Sequence, residues 1–146
     1  MAVYSEKGID GYTAAQRKCL ASSADLPIVK LGGYWAMRAF TTVASHVDTL
    51  SIARGSSVPS TVYALASRSE SGGAFAIVNN SSTATSVRVT GIPFSAPVYM
   101  SRVTGASTAG QEVKPTVSTA SVSGGALNLS LGAWEFVLLC TGEGLK

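Results

Sequence analysis

ALNLSLGAWEFVLLC, residues 126–140, is the clearest part of the stretch that decides the fold, which extends from residue 84 to residue 140. Over residues 126–131, three leucines alternate with small polar residues. Because successive side chains of a β-strand point to opposite faces, this period of two places the leucines on one face. Similar short apolar runs recur through the stretch, and each is closed by Gly, Pro or Ser. The pattern predicts strands of an antiparallel β-sandwich.

The rest of the chain adds further strands to this core. Turn-forming segments rich in Gly, Pro, Asn and Ser recur at intervals of about 8 to 12 residues, which is typical of a sandwich. The seven predicted strands are 49–53, 62–67, 74–79, 86–90, 97–103, 126–131 and 135–140. Residues 113–122 are a candidate eighth strand, and Pro115 would confine it to a sheet edge because proline has no amide hydrogen to donate. We therefore expect a mainly β fold, an antiparallel sandwich of about seven to eight strands.

One or two helices are expected before the strands. Thr13 and Gln16 have the spacing of a capping box, which predicts a short helix, and residues 24–33 contain Pro27 and two glycines typical of a linker. From residue 34 to about residue 46 the apolar residues follow a helical period. We divide the chain into an N-terminal segment, residues 1–33, and a helix followed by the β-sandwich, residues 34–146, which form one domain overall.

The helix predicted over residues 34–46 has an unusually wide apolar arc. Phe40 and Val43 lie at its centre, while Trp35 and Met37 lie at its margins. Since a sheet covers only a stripe of about 100° on a helix, part of this arc should remain exposed or contact another molecule. We expect Phe40 and Val43 to be buried against the sandwich, and Trp35 or Met37 to take part in an interface.

The two tryptophans allow two interpretations. Trp134 lies beside a turn between Leu131 and Phe136, and Trp35 lies on the apolar side of the helix. Tryptophans of this kind pack in a core or at a contact between domains, which we favour, or stack on a sugar ring. The predicted interface residues are Trp35, Met37, Phe40 and Trp134.

Composition argues against several classes of function. Charged residues make up 13% of the chain, and the net charge of +3 comes from 11 basic and 8 acidic side chains that are scattered along it. A nucleic-acid binder concentrates positive charge in a patch, so we expect no nucleic-acid partner. No apolar run approaches the roughly 18 residues of a membrane helix, so we expect no membrane partner either. The first residues lack the features of a signal peptide, which indicates a cytosolic chain or a mature or excised piece of a longer one.

Few residues are available for metal or nucleophilic chemistry. The chain has one histidine, His46, and two cysteines, Cys19 and Cys140, without metal-ligand spacing. We therefore expect no metal and no cofactor. A disulfide between Cys19 and Cys140 would tie the N-terminal helix to the last strand, whereas two buried thiols are the alternative that we slightly favour.

Several segments resemble a known class of enzyme. Residues 32–40, GGYWAMRAF, resemble the last barrel helix of (β/α)8 retaining glycoside hydrolases. Residues 62–67 (VYALAS), 73–80 (GAFAIVNN) and 127–139 (LNLSLGAWEFVLL) resemble strands of the β-sandwich that follows that helix directly. The likeness is to families 30, 39 and 79, covers about residues 32–141, and lies in the spacing and order of the segments.

The resemblance implies an accessory sandwich that packs on a catalytic (β/α)8 domain. Catalysis in these enzymes needs two carboxylates about 5 Å apart at the ends of barrel strands, and the chain is too short for such a barrel. Residues 2–8 resemble a strand end that carries the nucleophile, which makes Glu6 the one catalytic candidate, but no acid/base partner is present and we favour a surface glutamate. Activity of the chain itself is left open, although the parent would be a retaining glycoside hydrolase, and the resemblance favours a secreted protein.

Two alternatives to the accessory domain belong to other classes. Low charge and abundant Ser, Thr and Ala would suit a self-assembling structural protein, such as a virion or surface-layer sandwich, whose subunits bury much surface. A carbohydrate-binding module would need exposed, coplanar aromatic rings, for which Trp35 and Trp134 are the best residues.

Overall fold

The computed structural model describes residues 32–92, 97–104 and 113–142, and these form one helix and eight strands. The short helix predicted after Thr13, the linker, Glu6 and Cys19 lie outside the described residues. Helix α1 spans Gly32–Ala44. The strands are β1 Asp48–Leu50, β2 Val62–Ser69, β3 Gly72–Asn79, β4 Thr85–Thr90, β5 Val98–Thr104, β6 Thr116–Ala120, β7 Ala126–Leu131 and β8 Glu135–Cys140.

The strands form two sheets in which every strand pair is antiparallel, so the predicted fold class is confirmed. The larger sheet has six strands in the order β1-β2-β3-β8-β5-β6, and the smaller sheet pairs β4 with β7. Strand β6 follows Pro115 and lies at an edge, as predicted. Strand β1 begins earlier and ends sooner than predicted. It ends at Leu50, which packs against the core, because the residues that follow, 51–55, are exposed.

The main core lies between the two sheets. Alternation along β8 directs Val137 and Leu139 into this core and Leu138 to the opposite face. The buried members from all strands that contribute are Val62, Ala66, Phe75, Ile77, Val87, Val98, Leu129, Leu131, Val137 and Leu139. Strand β8 is central in the larger sheet and apolar on both faces, which suits a strand that is covered on both sides.

Helix α1 covers the other face of the six-stranded sheet and makes a third layer. Its buried residues, Trp35, Ala39 and Val43, follow a spacing of four and pack in a second core that includes Ala74 and Leu138. The Trp35 indole Nε1 donates a hydrogen bond to the Val113 carbonyl oxygen at 2.6 Å. This bond satisfies the polar end of a buried tryptophan and fixes the helix to the segment before β6.

The predicted orientation of the helix is wrong in one respect. Phe40, expected at the centre of the buried stripe, is 52% exposed, whereas Trp35, expected at a margin, is 3% exposed. Val43 is buried and Met37 is exposed, as predicted. The small Ala39 lets the helix approach the sheet closely, and Phe40 lies about 100° around the helix from Ala39, outside that contact.

A polar cluster fixes the tight connection between β7 and β8, two neighbouring strands that belong to different sheets. The Glu135 carboxylate accepts hydrogen bonds from the Gly132 amide at 2.7 Å and from Arg102 Nη1 at 3.0 Å. The Asn79 amide nitrogen donates to the Gly132 and Thr83 carbonyl oxygens, both at 2.8 Å. These bonds hold the point where the chain passes from one sheet to the other, and Glu135 itself is buried.

Candidate docking surface

The outer side of the six-stranded sheet is only partly covered by α1. The helix packs against β2, β3 and β5, and its buried residues contact the central part of that face. In β2, Tyr63 and Leu65 alternate with Ala64 and Ala66, which face the main core, so both larger side chains point to the side that carries the helix. They are 57% and 46% exposed, respectively.

Strand β6 contributes a third exposed side chain to the same side. Val117 is paired with Ser101 of β5, which is in turn paired with Leu138 of β8. Directly paired residues share a face, and Leu138 packs under the helix, so Val117 also points to the helix-bearing side. It is exposed.

The helix adds two exposed apolar side chains, Met37 and Phe40, on the part of its circumference that is turned away from the second core. We call Met37, Phe40, Tyr63, Leu65 and Val117 together the docking face. Single exposed apolar residues are common on protein surfaces. Five large ones on one side of a chain of this size are less common, and such groups mark contact sites with other molecules.

Only part of the docking face is among the interface residues predicted from the sequence. Met37 and Phe40 were predicted from the helical period, but Tyr63, Leu65 and Val117 were not predicted. A signal for them exists in residues 62–67, VYALAS, where apolar residues occupy both phases of the strand. Such a strand must be covered on both faces, or else expose one apolar face.

Trp35 and Trp134 are the two predicted interface residues that are not part of the docking face. Trp134 is 54% exposed in the turn between β7 and β8, has a positive φ of 51°, and donates its amide hydrogen to the Ser81 carbonyl oxygen. Of the two kinds of packing expected for it, a core within the described residues is therefore excluded, while a role at an interface stays a prediction. Since Trp35 is buried, the two tryptophans do not form a platform for a sugar.

The remaining candidates concern the cysteines and metal ligands. Cys140 is buried at the end of β8, where its Sγ lies 3.6 Å from the Gly142 carbonyl oxygen. Because Cys19 is outside the described residues, both the disulfide and the favoured alternative of two buried thiols stay predictions. Within the described part of the chain, no three His, Cys, Asp or Glu side chains are grouped so that they could hold a metal ion. None of the helical residues described is part of a helix long and apolar enough to span a membrane.

Comparison with known proteins adds likenesses at the level of structure alone. No protein-family model and no curated protein matches the chain. The structure is similar to a GH30 endoxylanase from Clostridium papyrosolvens, with 16% identity over 56% of this chain and a TM-score of 0.44. It is also similar to a GH51 α-L-arabinofuranosidase, with 20% identity over 57% of this chain and a TM-score of 0.48.

A third similar structure is a 4-O-α-L-rhamnosyl-β-D-glucuronidase from Fusarium oxysporum, with 22% identity over 53% of this chain and a TM-score of 0.42. The aligned region spans 20%, 16% and 23% of the endoxylanase, the arabinofuranosidase and the glucuronidase. The chain is thus similar to a part of each of these glycoside hydrolases.

Proposed function

We propose that this chain is an accessory β-sandwich of a glycoside hydrolase and that it packs on a catalytic (β/α)8 domain through the docking face. The observation that carries the proposal is the group of five large apolar side chains exposed on the helix-bearing side. Stable interfaces within an enzyme are apolar at their centre and depleted in charge, and all five residues are uncharged.

The sequence of α1 supports the choice of partner. Residues 32–40 resemble the last helix of such a barrel, and a helix in that position contacts two bodies at once. In this chain α1 buries Trp35, Ala39 and Val43 against the sandwich, while Met37 and Phe40 remain on its other side. In the proposal, the exposed side of α1 is therefore turned to the barrel, and the sandwich extends the same contact through β2 and β6.

Self-assembly is the second candidate, since the same docking face would also suit contacts between copies of the chain. The two candidates differ in the partner and hence in the mass of the complex that forms. The accessory-domain proposal predicts a chain that joins one barrel domain, whereas self-assembly predicts homo-oligomers whose mass rises with concentration.

The test combines the purified chain with the catalytic domain that the proposal requires in the genomic sequence immediately upstream of Met1. Light scattering after size-exclusion chromatography should show a complex with one copy of each. Leu65→Glu should weaken the complex by about 100-fold or more, because it buries an unpaired carboxylate in an apolar contact. Ser86→Glu, which adds the same charge at an exposed position of β4, should leave the affinity unchanged.

Three results would contradict the proposal. One is an upstream sequence that encodes no (β/α)8 domain. Another is a barrel that shows no complex with the folded chain. The third is a homo-oligomer of the chain that Leu65→Glu breaks up, which would establish self-assembly instead.

A further inference from the structure

Two overlapping N-glycosylation sequons begin at the end of β3 and run into the turn before β4. Residues 79–82 are Asn-Asn-Ser-Ser, so Asn79 and Asn80 are each followed two residues later by a serine, without an intervening proline. This spacing, Asn-x-Ser/Thr, is the one that an oligosaccharyltransferase recognises, and its acceptor asparagine belongs in a surface loop. The sequence alone does not distinguish the two asparagines, but their surroundings in the structure are opposite.

Asn79 belongs to the buried polar cluster at the β7–β8 connection. It is 1% exposed, and its side-chain nitrogen donates to the Thr83 and Gly132 carbonyl oxygens, both at 2.8 Å. A glycosylated asparagine keeps only one hydrogen on that nitrogen, so one of these bonds would be lost. The sugar would also have to occupy space that the protein already fills. The folded chain therefore has no room for a glycan at Asn79.

Asn80 is exposed and lies in the turn itself. Its backbone amide donates to the Thr61 carbonyl oxygen at 2.9 Å, which fixes the backbone at this position without using the side chain. Ser82, the hydroxyl residue of the same sequon, is exposed as well. A sugar on the side-chain nitrogen of Asn80 would therefore extend into solvent and leave the polar cluster intact.

A third sequon begins at Asn128, in the middle of β7. Asn128 is exposed, but it and Ser130 pair with Arg88 and Ser86 of β4, so this sequon is held in a strand and not in a loop. Of the three asparagines, Asn80 is the one that is both exposed and in a turn.

A half-exposed tryptophan lies beside this turn. The Trp134 amide donates to the Ser81 carbonyl oxygen at 2.9 Å, which brings the β7–β8 turn against the residue that follows Asn80. Trp134 is 54% exposed, and its φ of 51° lies in the left-handed region, which is unfavourable for a bulky aromatic residue. An exposed indole ring beside an attachment site offers an apolar surface to the first sugar.

We propose that Asn80 is an N-glycosylation site of the chain when it is exported through a secretory compartment, and that the first N-acetylglucosamine packs on Trp134. The inference goes beyond the proposed function. It involves none of the docking-face residues, so each proposal can fail without the other.

The transfer uses a lipid-diphosphate-linked oligosaccharide as donor. The side-chain nitrogen of Asn80 forms a bond to the anomeric carbon of the first sugar, and the bond from that carbon to the diphosphate oxygen breaks. The lipid diphosphate leaves with the electron pair, and a base of the transferase takes the proton that the nitrogen loses. The chain itself contributes the acceptor amide and the serine two residues later, Ser82.

The first test expresses the full chain behind a secretion leader in yeast. Peptide-N-glycosidase in heavy-oxygen water releases each glycan and leaves a labelled aspartate, which peptide mass spectrometry locates. The label should appear at Asn80 and not at Asn79.

Two serine variants form a matched pair for this test. Ser82→Ala destroys the Asn80 sequon and keeps that of Asn79, so it should abolish the label on residues 79–82. Ser81→Ala destroys the Asn79 sequon and keeps that of Asn80, so it should preserve the label.

A second test measures the contact with Trp134. An endoglycosidase that leaves one N-acetylglucosamine on the chain should give a melting temperature roughly 2 to 6 °C above that of Asn80→Gln, as expected for one aromatic contact in a domain of this size. In the Trp134→Ala background the same comparison should show no difference. Alanine needs the same positive φ as tryptophan, so this variant removes the ring without relieving the backbone.

The site is overturned if the secreted, folded chain carries no glycan at Asn80, or carries one at Asn128 in its place. It is also overturned if Ser82→Ala keeps the label and Ser81→Ala loses it, since the glycan would then be on Asn79. The contact with Trp134 is overturned if the trimmed chain and Asn80→Gln melt at the same temperature, or if Trp134→Ala leaves their difference unchanged. Circular dichroism of each secreted variant establishes that it is folded.

Discussion

At the scale of single residues, the sequence predicted the helix α1 correctly but predicted its buried face wrongly, since Trp35 is buried and Phe40 is exposed. The sequence has apolar residues at several successive positions of α1, so the helical period alone allows more than one buried stripe. Two features determine which stripe is buried. Ala39 permits close packing on the sheet, and the Val113 carbonyl oxygen accepts a hydrogen bond from the Trp35 indole. Val113 is 78 residues away in the chain, and nothing in the local sequence of the helix indicates it.

The two aromatic residues should differ strongly in their contribution to stability. Trp35→Ala should lower the free energy of unfolding by about 3 to 5 kcal/mol, because it leaves a cavity and an unpaired carbonyl oxygen in the second core. Phe40→Ala should change it by less than about 1 kcal/mol, since that side chain is half exposed. Urea denaturation of both variants measures the difference, and a larger loss for Phe40→Ala would contradict the orientation of α1.

At the scale of elements, the sequence predicted most strands but not the sheet to which each belongs. Strands β7 and β8 are joined by a tight turn, so their sequence would predict a hairpin. Instead, β7 pairs with β4, and β8 pairs with β3 and β5. The bonds that accompany this crossing come from Asn79, Arg102 and Glu135. Two of these residues lie far from the turn in the sequence, so turn residues and alternation could not indicate the crossing.

The hairpin between β2 and β3 depends on Gly72. Its φ is +155°, and a Cβ atom at this position would overlap the Thr141 side chain, whose hydroxyl oxygen accepts a hydrogen bond from the Gly73 amide. Gly72→Ala should therefore destabilise the protein by about 2 kcal/mol or more. Gly55→Ala is the matched control, because no atom lies within 4 Å of its added Cβ, and it should have little effect. Thermal unfolding of both variants decides the point, and equal melting temperatures would contradict the contact with Thr141.

At the scale of the whole molecule, the residues that the structure describes form three layers that leave two apolar regions uncovered. One is the docking face on the helix-bearing side, and the other is a cavity of about 530 Å³ beside β4 between the sheets. The wide apolar arc of the helix indicated that some surface would remain for a partner. It could not indicate that β2 and β6 share this surface, because that depends on strand register, nor that the smaller sheet has only two strands among the residues described.

Hydroxyl-radical footprinting of the chain alone and in complex with the catalytic barrel measures whether the docking face packs on that barrel. Oxidation of Met37, Phe40 and Tyr63 should fall several-fold in the complex, because burial excludes the radical along with water. Val47, which is 88% exposed and belongs neither to the docking face nor to the cavity lining, serves as the internal control and should be oxidised equally in both samples. Equal oxidation of Met37, Phe40 and Tyr63 in the free and complexed chain would contradict the claim.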